Sequence, residues 1–165
     1  MADVLQAKPK AETVKTGVEK KKVMAKAVNQ VASDVFKLAI KTQFYHWNVE
    51  GPLFRPLHLL TEEQYGALFA AADDVAERVR ALGELAPMNL KQLNNFSQIE
   101  ELDGKPTAEE MISDLVKDHE AIATRIQDVC ELADEHNDHA TDDLLGGVCG
   151  QLEQMAWMLR AHLTK

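Results

Sequence analysis

A chain of 165 residues, 45% apolar and 27% charged, is sized for one domain with a core of its own. It contains no apolar run near the roughly 20 residues of a membrane span, and its polar opening, MADVLQAKPKAETVK, lacks the apolar stretch of a secretory leader. The net charge of −9 divides unevenly: residues 1–26 carry seven lysines against Asp3, Glu12 and Glu19, a net of +4, which leaves −13 on the rest. A basic arm on an acidic body suits a charge-seeking tail, and the acidic body suits a protein that attracts cations. Residues 1–19 are therefore expected to form a lysine-containing tail and residues 20–165 the folded domain, in a cytoplasmic protein without membrane contact.

Four stretches carry helical periodicity, and none alternates as a strand would. The first spans about residues 20–48, with Val28, Val31, Val35, Leu38 and Tyr45 on one stripe, and Gly51-Pro52 stops it. The second begins near Pro56 and runs to Gly83, with Leu68, Val75, Val79 and Leu82 on one face. Residues 84–106 are looser and leave room for a short helix around Leu90. Thr107 and Glu110 then make a capping box, opening a third helix marked by Met111, Leu115, Ile122, Ile126 and Val129. Residues 135–141, EHNDHAT, form the last turn. Leu145, Val148, Leu152, Met155 and Leu159 mark the fourth helix. Gly146, Gly147 and Gly150 lie within it, each costing about 1 kcal/mol. The periodicity runs straight through them, so they are expected to permit close backbone packing. Cys130 and Cys149 belong to no CxxC pair and are expected as small buried core residues. Helices of this length with three connections predict an all-α four-helix bundle. The middle connection, about 22 residues long, suits a crossover rather than a hairpin.

The chemistry-bearing residues gather on the first two helices. His46 and His58 frame the turn between them, and Glu62 follows His58 by four residues, on the same helical face. Asp73 and Glu77 repeat the four-residue spacing further along. Two histidines with three carboxylates make a mixed N/O donor set for iron or another first-row cation. His58 and Asp73, however, are separated by about 22 Å of helical rise, while metal–ligand bonds are about 2 Å. One chain cannot bring both to one ion. Two such helices lying antiparallel across a twofold axis would bring one chain's histidines to the other's acids. The Glu-x-x-His pairs of within-chain di-iron bundles are absent, since Ile112, Ala123 and Ala156 stand three residues after Glu109, Glu120 and Glu153.

The stretches His46-Trp47-Asn48-Val49-x-Gly51-Pro52-x-Phe54-x-x-Leu57-His58, Glu62-Glu63-Gln64-Tyr65 and Asp73-x-Val75-Ala76-Glu77-Arg78-Val79-Arg80-Ala81-Leu82-Gly83 resemble the signature of the Dps family. Asp138-x-x-Thr141-x-Asp143-Leu144-Leu145 and Trp157-Met158-Leu159-Arg160 are similar to it as well. The resemblance implies a ferritin-like bundle, with the short helix in its crossover, that assembles into a dodecameric shell. It implies ferroxidase activity, with Fe(II) oxidised preferably by hydrogen peroxide and ferric mineral stored inside. By position, His46, His58, Asp73 and Glu77 match the family's iron ligands, and Glu62 an accessory acid. Trp47 matches an aromatic beside the site, with simple packing as the alternative. Asp138, Asp142 and Asp143 match acids lining the pores that admit iron, with helix capping as the competitor. The resemblance also implies a second function, DNA compaction at the nucleoid, through tail residues such as Lys8, Lys10 and Lys15.

Overall fold

The computed structural model describes residues 14–163, and every regular element among them is helical: α1 (Lys21–Asn48), α2 (Phe54–Ala81), α3 (Leu90–Phe96), α4 (Ala108–Glu135) and α5 (His139–Arg160). Residues 1–13, which hold Lys8 and Lys10, lie outside the described residues. The apolar stripes read from the sequence become the core: Val28, Val31, Val35 and Leu38 of α1 are fully buried, as are Leu115, Ile122 and Ile126 of α4 and Leu145, Leu152 and Leu159 of α5. Local chemistry sets the helix ends. Thr107 accepts a hydrogen bond from the Glu110 amide at 3.3 Å while the Glu110 carboxylate accepts the Thr107 amide at 2.7 Å, which is the reciprocal capping box. Asp138 caps α5 through the Thr141 amide. α2 begins two residues before Pro56. In the first turn a proline surrenders no intrahelical hydrogen bond, so the helix tolerates it there.

Side-chain partners reveal the topology. Phe36 stacks edge-on against Phe69, and His46 lies on His58, so α1 and α2 run antiparallel. Asp34 meets Arg125, Lys41 meets Asp118, and Tyr45 meets Asp114, so α1 and α4 are antiparallel too. Gln64 reaches Met155 and Arg78 reaches Thr141, which sets α5 against α2. α2 and α4 therefore point the same way, and the chain between them must return along the whole bundle. That is the crossover, with α3 within it. Asp34, fully buried, holds it down: it pairs with Arg125 and accepts from Ser97 Oγ at 2.9 Å and the Gln98 amide at 2.7 Å. A buried carboxylate needs this many donors.

Two expectations change. A Cβ built on Gly146, Gly147 or Gly150 would meet no atom of the chain within 4 Å, so these glycines allow no close packing inside the bundle; they lie on the outer face of α5. Cys130 and Cys149 are half-buried free thiols in the α4–α5 groove rather than core residues, with Sγ 3.9 Å from the Asp142 carbonyl and 3.8 Å from the Ala123 carbonyl. Burial pushes the Cys130 thiol up to about 12, leaving it protonated and unreactive at neutral pH.

His119 is a buried titratable group in the core. Its Nδ1–H donates to the Leu115 carbonyl at 2.7 Å, and its Nε2 has no partner. Burial pushes the imidazole down to about 4. The folded-state value lies below the unfolded one, so the stability it contributes is complete above pH 6.5 and is lost as pH falls towards 4. Replacing His119 with Leu should flatten the stability–pH profile in that window by up to about 3 kcal/mol, read from urea unfolding. Parallel profiles for the two proteins would contradict it.

Candidate metal centre

His46 sits in the last turn of α1 and His58 in the second turn of α2, joined by a short loop in which Gly51 takes φ +88°. Only a residue without a Cβ adopts that conformation freely, and it folds α2 back along α1. The last carbonyls of a helix lack intrahelical partners, and the His46 carbonyl accepts instead from His58 Nδ1 at 2.9 Å. The His58 carbonyl accepts from His46 Nδ1 at 2.8 Å. The rings stack with centroids 3.8 Å apart and planes 16° from parallel. A carbonyl can only accept, so each neutral ring carries its proton on Nδ1 and leaves the Nε2 lone pair free. This is the tautomer that binds a cation, held by backbone carbonyls. Phe54 lies over His58 at 5.1 Å, and Tyr65 meets His46 edge-on at 5.3 Å. Tyr65 is seven residues beyond His58, two turns along the same face; that spacing was the available signal for including it.

Asp73 and Glu77 lie one turn apart on α2, both exposed, and neither forms an ion pair among the described residues. The adjacent Arg78 is turned away into the α5 cap, where its guanidinium bonds Asp138 and Thr141 Oγ1; it does not neutralise the acids. Asp73 borders an open groove whose walls include Ala32, Phe36, Phe69, Pro87 and Leu93. Asp73 therefore flanks apolar surface rather than a solvated charged face. Among the described residues no three His, Cys, Asp or Glu side chains converge to hold a metal ion, as the about 22 Å of rise between His58 and Asp73 requires.

The other predicted residues divide. Glu62 is exposed one turn beyond His58. Trp47, 62% exposed, touches Phe44 with centroids 5.7 Å apart. Asp138 is buried, with one oxygen bonded to Arg78 and the Thr141 amide and the other to Thr141 Oγ1. The capping alternative is the one the structure displays for it, and only Asp142 and Asp143 remain exposed. Lys15 is exposed as well.

A buried network beneath His46 was missed in the sequence. Lys41 Nζ bonds Asp114 at 2.8 Å and Asp118 at 2.5 Å, and Tyr45 Oη donates to Asp114 at 2.6 Å. Burial raises the Asp118 carboxyl, against the opposing pull of Lys41. Burial, together with the bond to Asp114, also raises the Tyr45 phenol far above its ordinary range. Tyr45 immediately precedes His46, so the network anchors the turn that presents the ligand. Lys41 and Asp118 both fall on core-facing stripes, an oddity a closer reading could have paired.

Residues 25–165 match the ferritin-like domain family. Over 144 residues the chain is 35% identical to the DNA protection during starvation protein 2 of Bacillus anthracis, covering 87% of this chain and 99% of that one. The crystal structure of a Dps protein from Bacillus brevis superposes with a TM-score of 0.84 at 33% identity, over 87% and 97% of the two chains. The Vibrio cholerae Dps structure, described as a member of a broad superfamily of ferritin-like diiron-carboxylate proteins, gives a TM-score of 0.86 at 27% identity, over 92% and 97%.

Removing one member of a buried ion network strands the remaining charges, at about 3–5 kcal/mol. Lys41→Met should lower the unfolding free energy by that amount in denaturant titrations. A variant as stable as wild type would show that the network does not anchor α1.

Proposed function

The chain belongs to the ferritin-like family, in its Dps branch, and from that premise we propose that it oxidises Fe(II) at sites shared between two subunits and stores the ferric product within a hollow shell, a dodecamer by family likeness. Family membership supports iron storage and DNA protection as the field of action. The observation that carries the finer reading is the histidine pair: two imidazoles locked by carbonyls in the tautomer that offers Nε2 to a cation, with no group of three metal-ligating side chains converging among the described residues. Asp73 and Glu77 of the partner subunit complete the set, with Glu62 in reach as an accessory acid and Trp47 beside it. Neutral nitrogens with carboxylates suit Fe(II) and stabilise the Fe(III) formed from it. Hydrogen peroxide is the preferred oxidant in this reading. Two Fe(II) ions each give one electron, the O–O bond breaks, and two waters form after two protons are taken up. No hydroxyl radical is released. Asp142 and Asp143, exposed in the first turn of α5, would line the route by which iron enters.

A second reading, DNA binding by the basic tail, is favoured by its lysines Lys8, Lys10 and Lys15, the last of them exposed, on an otherwise acidic chain. Several arms on one shell would add avidity, and phosphate neutralisation makes such binding sensitive to salt. Deleting residues 1–16 should abolish a gel shift at low salt while leaving the assembly intact. An undiminished shift would place the DNA site elsewhere, and no shift from the intact protein would reject the reading.

The ferroxidase reading is tested by complementation. Variants lacking His46 and His58, or lacking Asp73 and Glu77, should each oxidise Fe(II) with peroxide at least about tenfold more slowly, since even supporting residues of metal sites cost that much. Mixing dissociated chains should restore about a quarter of the sites, because half the dimers are mixed and half of their sites are whole. No recovery, with mixed dimers confirmed by mass spectrometry, rejects the shared site.

A further inference from the structure

Halfway along α2 stands a glycine that no contact among the described residues requires. Gly66 has ordinary helical geometry, and a Cβ placed on it would meet no atom within 4 Å. Glycine inside a helix costs about 1 kcal/mol relative to alanine, and no close approach among the described residues offsets it. Its surroundings are equally unusual. The only exposed residues between Glu63 and Asp73 are Gly66, Ala67 and Ala70, and no charged residue occurs from Gln64 to Ala72 in a chain that is 27% charged. A helix face meeting water carries long polar side chains. This one carries none, and it runs beside the apolar groove of Phe36 and Phe69.

We propose that Gly66 is the point at which the α2 helices of two copies of this chain cross, and that it acts as a positioning residue, setting the distance at which the histidines of one copy meet the acids of the other. The proposal rests on the shared-site reading. In an antiparallel pair about a twofold axis, bringing His58 level with Asp73 of the partner subunit puts the axis midway between positions 65 and 66. Bringing it level with Glu77 of the partner subunit puts the axis between 67 and 68. The exposed residues at those levels are Gly66 and Ala67. The spacing of the ligands and the placement of the glycine are independent features of the sequence, and they coincide.

Magnitudes make the glycine consequential. Helix axes pack 8–10 Å apart according to the side chains at the contact, and the smallest side chains allow the shorter distance. Near a twofold axis every added atom counts twice. Moving the helices from about 8 to about 10 Å shifts the ligands by far more than the roughly 0.2 Å that metal–ligand distances tolerate. A bulky residue at this position would open the metal site without altering any ligand.

The test compares Gly66→Ala and Gly66→Gln by titration with Co(II), followed through the visible absorption of the bound ion, alongside native mass spectrometry. The position is open within the chain and Gln is a good helix former, so circular dichroism should show Gly66→Gln folded. Its Co(II) affinity should fall at least about tenfold, whether the dimer loosens or separates, while Gly66→Ala should lose less. Should Gly66→Gln fail to fold, Gly66→Ser takes its place in the same comparison. If Gly66→Gln binds Co(II) with wild-type affinity and spectrum, Gly66 does not set the crossing. That failure is distinct from failure of the shared site, which would appear as absent complementation between the histidine-less and acid-less chains.

Discussion

A helix is a ruler, and α2 separates its two donor groups by about 22 Å. It carries His58 near its start, where Gly51 folds the chain back so that His46 joins it, and Asp73 and Glu77 past its middle. No rotamer change closes that gap. The remaining features concern what each end of the ruler presents. At one end two imidazoles are locked through Nδ1 by backbone carbonyls, which leaves Nε2 as the donor atom of each. At the other, two carboxylates have no ion-pair partner among the described residues, Arg78 being engaged in the α5 cap. A site built from both ends needs a second ruler laid the other way.

The bundle keeps this ruler straight through polar contacts between its two hairpins. Lys41 joins α1 to Asp114 and Asp118 of α4. Arg125 joins α4 to Asp34 of α1 beneath the crossover, and Arg78 joins α2 to the cap of α5. Each pair is largely buried, where charge is costly unless matched. Apolar stripes tolerate sliding by a turn far better than ion pairs do, so these contacts fix the register of one hairpin on the other. Lys41 acts closest to the chemistry, since its network includes Tyr45, the neighbour of His46. The core supplies the cohesion, and the ion pairs supply the alignment.

Much of this was legible in the sequence because it is local. Helical periodicity located all four long helices, the Thr107–Glu110 box placed the start of α4 to the residue, and the long connection over residues 84–106 announced the crossover. The histidine pair was legible too, since Gly51-Pro52 forces the chain to turn between them. What escaped depends on contacts between distant segments. The Lys41–Asp118 pair is visible only once α1 and α4 are in register. Capping of α5 by Asp138 was one of two alternatives the sequence offered, but its pairing with Arg78 of α2 becomes visible only once those helices are packed. Gly146, Gly147 and Gly150 were expected to serve packing within the bundle, yet they face outward; periodicity identifies the face a helix buries, not the reason its opposite face is small.

The central claim is that the iron ligands come from two chains, and diffraction at the iron absorption edge from crystals of the Fe(II)-loaded protein tests it most directly. The predicted result is an anomalous peak about 2.0–2.2 Å from Nε2 of His46 and His58 of one chain and from carboxylate oxygens of Asp73 and Glu77 of the partner subunit. An iron ion whose protein ligands all belong to one chain, or one held by the acids with the histidines empty, would contradict it.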